Sequence, residues 1–400
     1  MQETPLIRID HTTRKRIFFS LYSAVLSTMV GVGIVIPLLP RYVSSMGASG
    51  IWIGAIFSAF ALSRAIFLPV FGKLSDTHGR RRLILIGLCA YSLISVVYML
   101  AGTVIEITAL RFLHGIASAM VLPIAIAYIG DIAPVGEEGR FVGSFASSIT
   151  LGMSLGPLIG GVISDIFNMN AVFLSMTALS MVALITCLLF LPDIKPKQGV
   201  KTPITSIIQY KPLRGPILYQ MMYAFANGTF MVFVPIIAIH GGDLSASEVG
   251  VVILASVLST TVFHHFFSRF SDHFGRYHQI ACGAALIGAS LLIVPEFHSL
   301  YAYLICALLM GIGRGLSLPA MYALVTVAGR DVGQGSASGV INTTLAVGLI
   351  ISPLISGTVM DISGISMVFY LSGVISIICM MVFLHMGRSG TGQILRNTDY

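Results

Sequence analysis

The sequence predicts an all-α membrane protein, with twelve transmembrane helices arranged as two parallel six-helix repeats (1–191 and 215–400) around a linker at 192–214. Three observations lead there: the composition, the placement of the basic residues, and a single internal offset that pairs the two halves. Of 400 residues, 56% are hydrophobic and 10% charged, with a mean hydropathy of +0.92. A water-soluble core does not need so much apolar surface, so a bilayer is the solvent.

Apolar stretches run over about 17–42, 51–72, 83–101, 104–130, 142–163, 170–191, 215–239, 248–268, 279–295, 299–327, 335–359 and 365–386. Each is long enough for a helix rising 1.5 Å per residue to cross about 30 Å of hydrocarbon. Barrel strands would be half as long and would alternate apolar with polar residues. With the amino terminus inside, the inner segments hold 19 of the 23 basic residues, among them Arg14, Lys15, Arg16, Lys73, Arg80, Arg81, Arg82, Arg140, Arg269, Arg276 and Arg330. Arg41 alone lies outside, and Arg64, Arg111 and Arg314 fall within spans. The positive-inside bias therefore places both termini in the cytoplasm and demands an even number of crossings.

The first stretch is too long for a signal-peptide core and is read as a retained helix. Cys89, Cys187, Cys282, Cys306 and Cys379 all lie in apolar spans without ligand spacing, so they read as packing residues and no metal site or disulfide framework is expected. The pI of 9.2 follows from topology, since the basic residues sit where inner-leaflet headgroups lie. No nucleic-acid partner is expected.

An offset of 196 residues pairs Asp76 with Asp272, Gly79 with Gly275, Arg80 with Arg276, Pro123 with Pro319, Pro157 with Pro353, Gly161 with Gly357, and Asp165 with Asp361. Gly54/Gly250, Gly115/Gly311 and Gly152/Gly348 follow without a gap. Glycine, proline and charge are the least replaceable residues in a membrane helix, so the chain holds two copies of one six-helix unit. Six is even, so the copies are parallel and related by an axis along the membrane normal, with a cavity expected between them. Pro192, Pro196, Pro203 and Pro212 mark the cytoplasmic linker, with a surface helix expected near 204–210.

Between helices 2 and 3 lies Gly72-Lys73-Leu74-Ser75-Asp76-Thr77-His78-Gly79-Arg80-Arg81-Arg82, and a degenerate copy, Ser268 to Arg276, follows helix 8. The glycines suit a tight turn and close helix approach, while Asp76 can face a positive helix amino terminus and the arginines can bridge carboxylates. This closely resembles the loop signature of the major facilitator superfamily, secondary transporters with two six-helix halves and alternating access. The resemblance covers essentially the whole chain. It implies that Asp76 meets the start of helix 11 near Ser336–Gly339, and that Arg80 engages Asp131, together forming a cytoplasmic latch that favours the outward-open state.

Helix 5 carries Gly152-Met153-Ser154-Leu155-Gly156-Pro157-Leu158-Ile159-Gly160-Gly161. The glycines let a neighbour approach, and Pro157 leaves the Met153 carbonyl without its usual partner, so a hinge or pliable seam is expected. The pattern resembles the helix-5 signature of exporter branches, especially drug/proton antiporters. Arg111-Phe112-Leu113-His114-Gly115 on helix 4 resembles a further signature, whose arginine is associated with proton coupling. An arginine in a span costs about 2.5–3.5 kcal/mol on insertion scales and faces protein, water or a partner. His114 stands where glutamine is usual and adds a group that titrates near neutrality. A neutral histidine hydrogen-bonded to a neighbouring helix is an equal reading.

Arg314 on helix 10 shares nearly the same face as Arg111 on the equivalent helix, about 10 Å apart in depth. Arg64 is a third intramembrane cation, and Glu106 is the one carboxylate nearby. The cavity is thus expected to be positively biased, suiting anionic or zwitterionic cargo, with His114 or Glu106 carrying the proton. Tyr219, Gln220, Tyr223 and Asn227 recur at helical spacing on helix 7 and read equally as cavity lining or as packing.

No Gly-x-x-x-x-Gly-Lys-Ser/Thr loop is present, so ATP is not the energy source, and no catalytic constellation or cofactor is expected. The resemblance implies proton-coupled efflux of small organic molecules. Import by symport or facilitated diffusion is the alternative, and a non-transporting sensor a remote one. The expected partners are a small-molecule substrate, protons and the lipid bilayer. The chain is expected to act as a monomer in a bacterial inner membrane.

Overall fold

The computed structural model describes residues 10–134, 137–193, 210–268 and 275–388, and within them twelve helices are long and apolar enough to cross a membrane. They are α1 (His11–Ser45), α2 (Gly50–His78), α3 (Arg80–Val97), α4 (Val104–Ile132), α5 (Glu138–Ile166), α6 (Met169–Phe190), α7 (Arg214–Gly242), α8 (Ala246–Ser268), α9 (Arg276–Ile293), α10 (Leu300–Val332), α11 (Gln334–Ser363) and α12 (Ile365–Arg388). The chain is an all-α, multi-pass membrane protein. The surface helix expected near 204–210 lies outside the described residues apart from Tyr210, and so does Asp272 in the second loop copy.

Several helices overrun the apolar windows; α2 continues to His78 and α10 to Val332. Hydropathy marks only the hydrocarbon layer, whereas the backbone ladder continues into the headgroup zone until a cap or a glycine stops it. Asn168 accepts from Ala171 N at 3.0 Å, and Ser299 from Ala302 N at 3.3 Å, starting α6 and α10. Gly79 and Gly333 turn the chain at φ +91°, a conformation that a side chain disfavours.

The helix contacts repeat between the halves. α1 packs on α5 and α6 as α7 packs on α11 and α12; α4 packs on α2 and α3 as α10 packs on α8 and α9. The main contacts between halves are α2 with α11 and α5 with α8, which the repeat relates to one another, and α1 meets α7 more sparsely. Hydrocarbon offers no hydrophobic drive for helices to associate, so such contacts depend on small residues and hydrogen bonds.

At the crossing pairs, backbone meets backbone. A Cβ on Gly161 would lie 2.3 Å from the Ala246 carbonyl oxygen, and one on Gly250 would lie 2.6 Å from that of Pro157. In the other copy, a Cβ on Gly357 would lie 2.1 Å from the Gly50 oxygen, and one on Gly54 would lie 2.2 Å from that of Pro353. One turn further along, an aspartate seals each contact. Asp361 accepts from Gly50 N at 2.6 Å and Ile51 N at 2.8 Å, and Asp165 accepts from Ala246 N at 3.1 Å and Ser247 N at 2.7 Å. Each carboxylate caps the first turn of a helix in the opposite half, where unpaired N–H groups and the helix dipole favour negative charge. The Ser49 side chain makes no cap bond at the start of α2, so Asp361 supplies it.

The helix-5 motif therefore has two faces. Gly152, Gly156 and Gly160 receive α1, where added Cβ atoms would lie 2.5 Å from Met29 Cβ, 2.6 Å from Val30 O and 2.7 Å from Ile34 O. Pro157, Gly161 and Asp165 face α8 instead. α5 runs unbroken through Pro157, so the motif builds a packed seam rather than a hinge. In the second copy serines replace two glycines and bond across: Ser352 Oγ donates to Phe225 O at 2.9 Å, and Ser356 pairs with Thr229 at 3.2 Å.

All these seams lie at the end of the bundle away from the arginine-bearing loops. At the basic end, a Cβ added to Gly72 of α2, Gly139 or Gly143 of α5, or Gly335 or Gly339 of α11 would meet nothing within 4 Å. The halves meet at one end and stand apart at the other.

Substituting leucine at Gly161 or Gly357 is expected to force the sealed end apart while each half stays folded. Spin labels at Gly47 and Asp243 should report longer distances. Asp165→Ala or Asp361→Ala should move the same equilibrium by about 1–2 kcal/mol each. Unchanged distances in all four variants would show that these contacts do not hold the end shut.

Candidate functional site

The residues singled out by sequence form three groups. The first is the loop cluster at the basic end. Gly79 makes the α2–α3 turn, which places Arg80 at the first position of α3, buried, with its Nε 2.6 Å from Asp131 Oδ2 near the end of α4. Asp76 lies 3.5 Å from the same guanidinium and has a half-exposed side chain. The Arg80–Asp131 pair is thus assembled within the amino-terminal half. The expected approach of Asp76 to the start of α11 is not made in this conformation, since space is open around Gly335 and Gly339. Gly72 likewise abuts no neighbour, so close approach there belongs to a state with the basic end closed.

The second group surrounds Arg111 on α4. The guanidinium carbon sits 5.1 Å from the Phe57 ring centre and 5.0 Å from that of Phe60, both on α2. His114, one turn along, has its ring 4.2 Å from that of Tyr91, 5.7 Å from Phe60 and 6.1 Å from Tyr98. Aromatic faces stabilise a cation without neutralising it, which is how an arginine resides here without a carboxylate. Arg64 of α2 is half-buried.

Glu106 stands apart from this group. Its carboxylate accepts from Gly102 N at 2.8 Å and Thr103 N at 3.2 Å, and Thr103 Oγ1 accepts from Glu106 N, completing a capping box that starts α4. The carboxylate is occupied by the helix end rather than by Arg111.

The third group surrounds Arg314 on α10, which is also buried. Its Nη1 donates to Asn227 Oδ1 of α7 and its Nη2 to Ser256 Oγ of α8, both at 2.9 Å, with the Phe230 ring centre 5.8 Å away. The helix-7 stripe thus splits. Asn227 holds Arg314, whereas Tyr219 and Gln220 are buried in packing and Tyr219 pairs with Ser317. Arg111 and Arg314 do not share one open wall; each is enclosed by its own half. Cys89 and Cys282 are exposed on the lipid-facing surface rather than packed, while Cys187, Cys306 and Cys379 are buried.

Sequence reasoning missed the partners. Phe57, Phe60, Tyr91, Tyr98 and Ser256 carry no motif, and only the three-dimensional arrangement gathers them. Asp165 and Asp361 were visible as a repeat pair, and their place four residues beyond Gly161 and Gly357 was the signal for their role.

Asp131→Asn removes the main carboxylate from a buried arginine and is expected to cost about 1–3 kcal/mol of stability, read as a lower melting temperature in detergent. Asp76→Asn changes an exposed group and should leave melting within about 0.5 kcal/mol. Equal losses in the two variants would contradict this division.

The family model described as Major Facilitator Superfamily matches twice, over residues 21–218 and 216–395, once per half. An uncharacterized MFS-type transporter of Methanocaldococcus jannaschii is 27% identical over 370 residues, covering 90% of this chain and 95% of the relative. The quinolone resistance protein NorA of Staphylococcus aureus is 25% identical over 351 residues, covering 86% and 90%. Among solved structures, the nucleoside transporter NupG superposes with a TM-score of 0.79 at 13% identity, over 92% of this chain and 99% of that one, a likeness of fold. Twelve membrane helices in repeated halves, a seam at one end, and a family match across both repeats converge: the chain belongs to the major facilitator superfamily, as a non-catalytic secondary transporter of small organic molecules working by alternating access.

Proposed function

We propose that the chain exports small organic molecules in exchange for protons, with its basic end in the cytoplasm. The observation that carries this reading is the helix-5 motif in its setting. Gly152, Gly156 and Gly160 bind α1 while Pro157, Gly161 and Asp165 bind the opposite half, so the pattern that resembles an exporter signature also builds the seam. The relative in Staphylococcus aureus, named for quinolone resistance, is similar over 86% of this chain and supports the same direction. With the basic end inside, the conformation is open to the cytoplasm, the state in which an exporter loads.

The cargo is an anionic or zwitterionic organic molecule, such as a carboxylate-bearing metabolite, siderophore or amphiphilic drug. Arg64, Arg111 and Arg314 lie within spans, and the nearby carboxylate, Glu106, is committed to its capping box. Arg111 and Arg314 are each enclosed by their own half, and the combined positive field of the three cations favours negative charge on cargo bound between the halves. Of the two expected proton carriers, His114 fits better than Glu106: it is buried one turn from Arg111, so its charge and that of Arg111 influence each other directly.

Proteoliposomes loaded with anionic, zwitterionic or cationic compounds test the proposal. Efflux of acids and zwitterions should accelerate when the side facing the sealed end is acidified, and Arg314→Ala should abolish that preference. His114→Gln should uncouple flux from the pH gradient, with a loss of roughly 10- to 100-fold in the gradient-driven rate. Compounds accumulating in the same direction as protons would establish a symporter instead. Strong efflux of permanent cations without recognition of acids would overturn the cargo assignment.

A further inference from the structure

Four polar side chains in the amino-terminal half are buried together with unsatisfied hydrogen-bonding atoms. Tyr91, Tyr98, Arg111 and His114 are 1%, 0%, 2% and 0% exposed. The Tyr91 and Tyr98 hydroxyls, Arg111 Nε and Nη1, and both ring nitrogens of His114 have no hydrogen-bond partner. Native structures pair the great majority of such atoms, and each buried orphan costs about as much as a lost hydrogen bond. These orphans also converge. His114 packs edge-on to the rings of Tyr91 and Tyr98 and shares the Phe60 ring with Arg111, and Ser118, one turn beyond His114 on α4, is buried too.

The internal repeat shows that the scaffold does not need them. At an offset of 196, Tyr91, Tyr98, Arg111 and His114 correspond to Ile287, Val294, Ala307 and Met310, which are 0%, 1%, 0% and 0% exposed. The same place in the same fold, one repeat later, is filled by apolar side chains. Four polar residues replacing four apolar ones, at a cost that the other half avoids, point to a ligand rather than to packing.

Its chemistry follows from the groups. The guanidinium, the two phenols, Ser118 and one imidazole N–H supply donors in excess of acceptors. Arg111 is a buried positive charge, and Glu106 is held in its cap. Water would satisfy hydrogen bonds, and the Phe57 and Phe60 faces stabilise the cation without neutralising it, so an anion is what supplies acceptors and opposite charge together. We propose that Arg111, His114, Tyr91 and Tyr98 form a binding site for a small monoanion, a halide or a one-carbon carboxylate, in the amino-terminal half. The site stands on these side chains alone and holds for an exporter or an importer alike. Arg314 differs in that Asn227 and Ser256 occupy its Nη1 and Nη2, leaving Nε as its one unpartnered nitrogen.

The test uses the purified full chain in detergent, melted in sodium chloride, bromide, formate or gluconate at constant ionic strength. Gluconate is too large for an enclosed site and serves as the reference. A small monoanion should raise the melting temperature saturably, by roughly 2–4 °C. Arg111→Gln should abolish the rise, whereas Arg41→Gln, which removes an exposed charge, should keep it. Tyr98→Phe removes one donor with little change of shape and should weaken apparent affinity by roughly 2- to 10-fold, which reads the site even if Arg111→Gln does not fold. Halide responding without formate would identify a halide site, and formate without halide a carboxylate site. Equal melting in all four salts, or a rise that survives Tyr98→Phe at unchanged affinity, would overturn the proposal.

Discussion

The fold depends on how two helix bundles can adhere in a solvent as apolar as themselves. Lipid gives no net reward for hiding leucine against leucine, so the halves join where backbones touch and where a carboxylate reaches an uncapped helix start. Gly50, Gly54, Gly161, Gly250 and Gly357 allow the first, at approaches that no Cβ fits. Asp165 and Asp361 provide the second, each accepting two backbone N–H groups from the opposite half. Both devices are polar or steric, local and reversible. A large apolar interface would be harder to reopen.

Duplication separates what the scaffold requires from what function adds. Seam residues recur at the offset of 196: Pro157 with Pro353, Gly161 with Gly357, Asp165 with Asp361. The buried arginines and the aromatic groups packed against Arg111 do not recur. Arg111 corresponds to Ala307, and Arg314 to Ser118. Each half has therefore acquired its own buried arginine on a different turn and solved its desolvation differently. Arg314 is held by an amide and a hydroxyl, whereas Arg111 rests on two aromatic faces. One cation is hydrogen-bonded in place and the other is left with donors to spare.

Most of the architecture was legible because membrane helices obey few rules. Length, hydropathy and basic loops located twelve spans, and glycine, proline and aspartate coincidences revealed the repeat. Arg80 with Asp131 was implied by the family resemblance that the loop motif carries, and the two side chains meet in the structure. The site was less legible, since side-chain partners come from helices distant in sequence: Phe57 and Phe60 reach Arg111 from α2, and Ser256 reaches Arg314 from α8. Glu106 misled for a related reason. A carboxylate five residues before an arginine suggests a pair, but Thr103 three residues upstream makes a capping box, and the local bond is the one the carboxylate forms. Asp76 differs again: the family resemblance implies a partner at the start of α11, whereas in this conformation its charged neighbour is Arg80.

Alternation follows from placing seam and latch on the same helices. α2 carries Gly50 and Gly54 at one end and the Gly72–Asp76 segment at the other; α11 carries Gly357 and Asp361 at one end and Gly335–Gly339 at the other. Each is close to 30 residues long, roughly 45 Å at 1.5 Å per residue. Ser58, whose Oγ donates to Ile350 O at 2.6 Å, marks how far along α2 the contact with α11 extends from the sealed end. Two such rods crossing at an angle cannot be in van der Waals contact along their full length. The approach of Asp76 to the start of α11 that the resemblance implies would require the rods to tilt, and tilting would withdraw Asp361 from the first turn of α2. The repeat would impose the same exchange on α5 and α8, which couples the four helices at the sealed end.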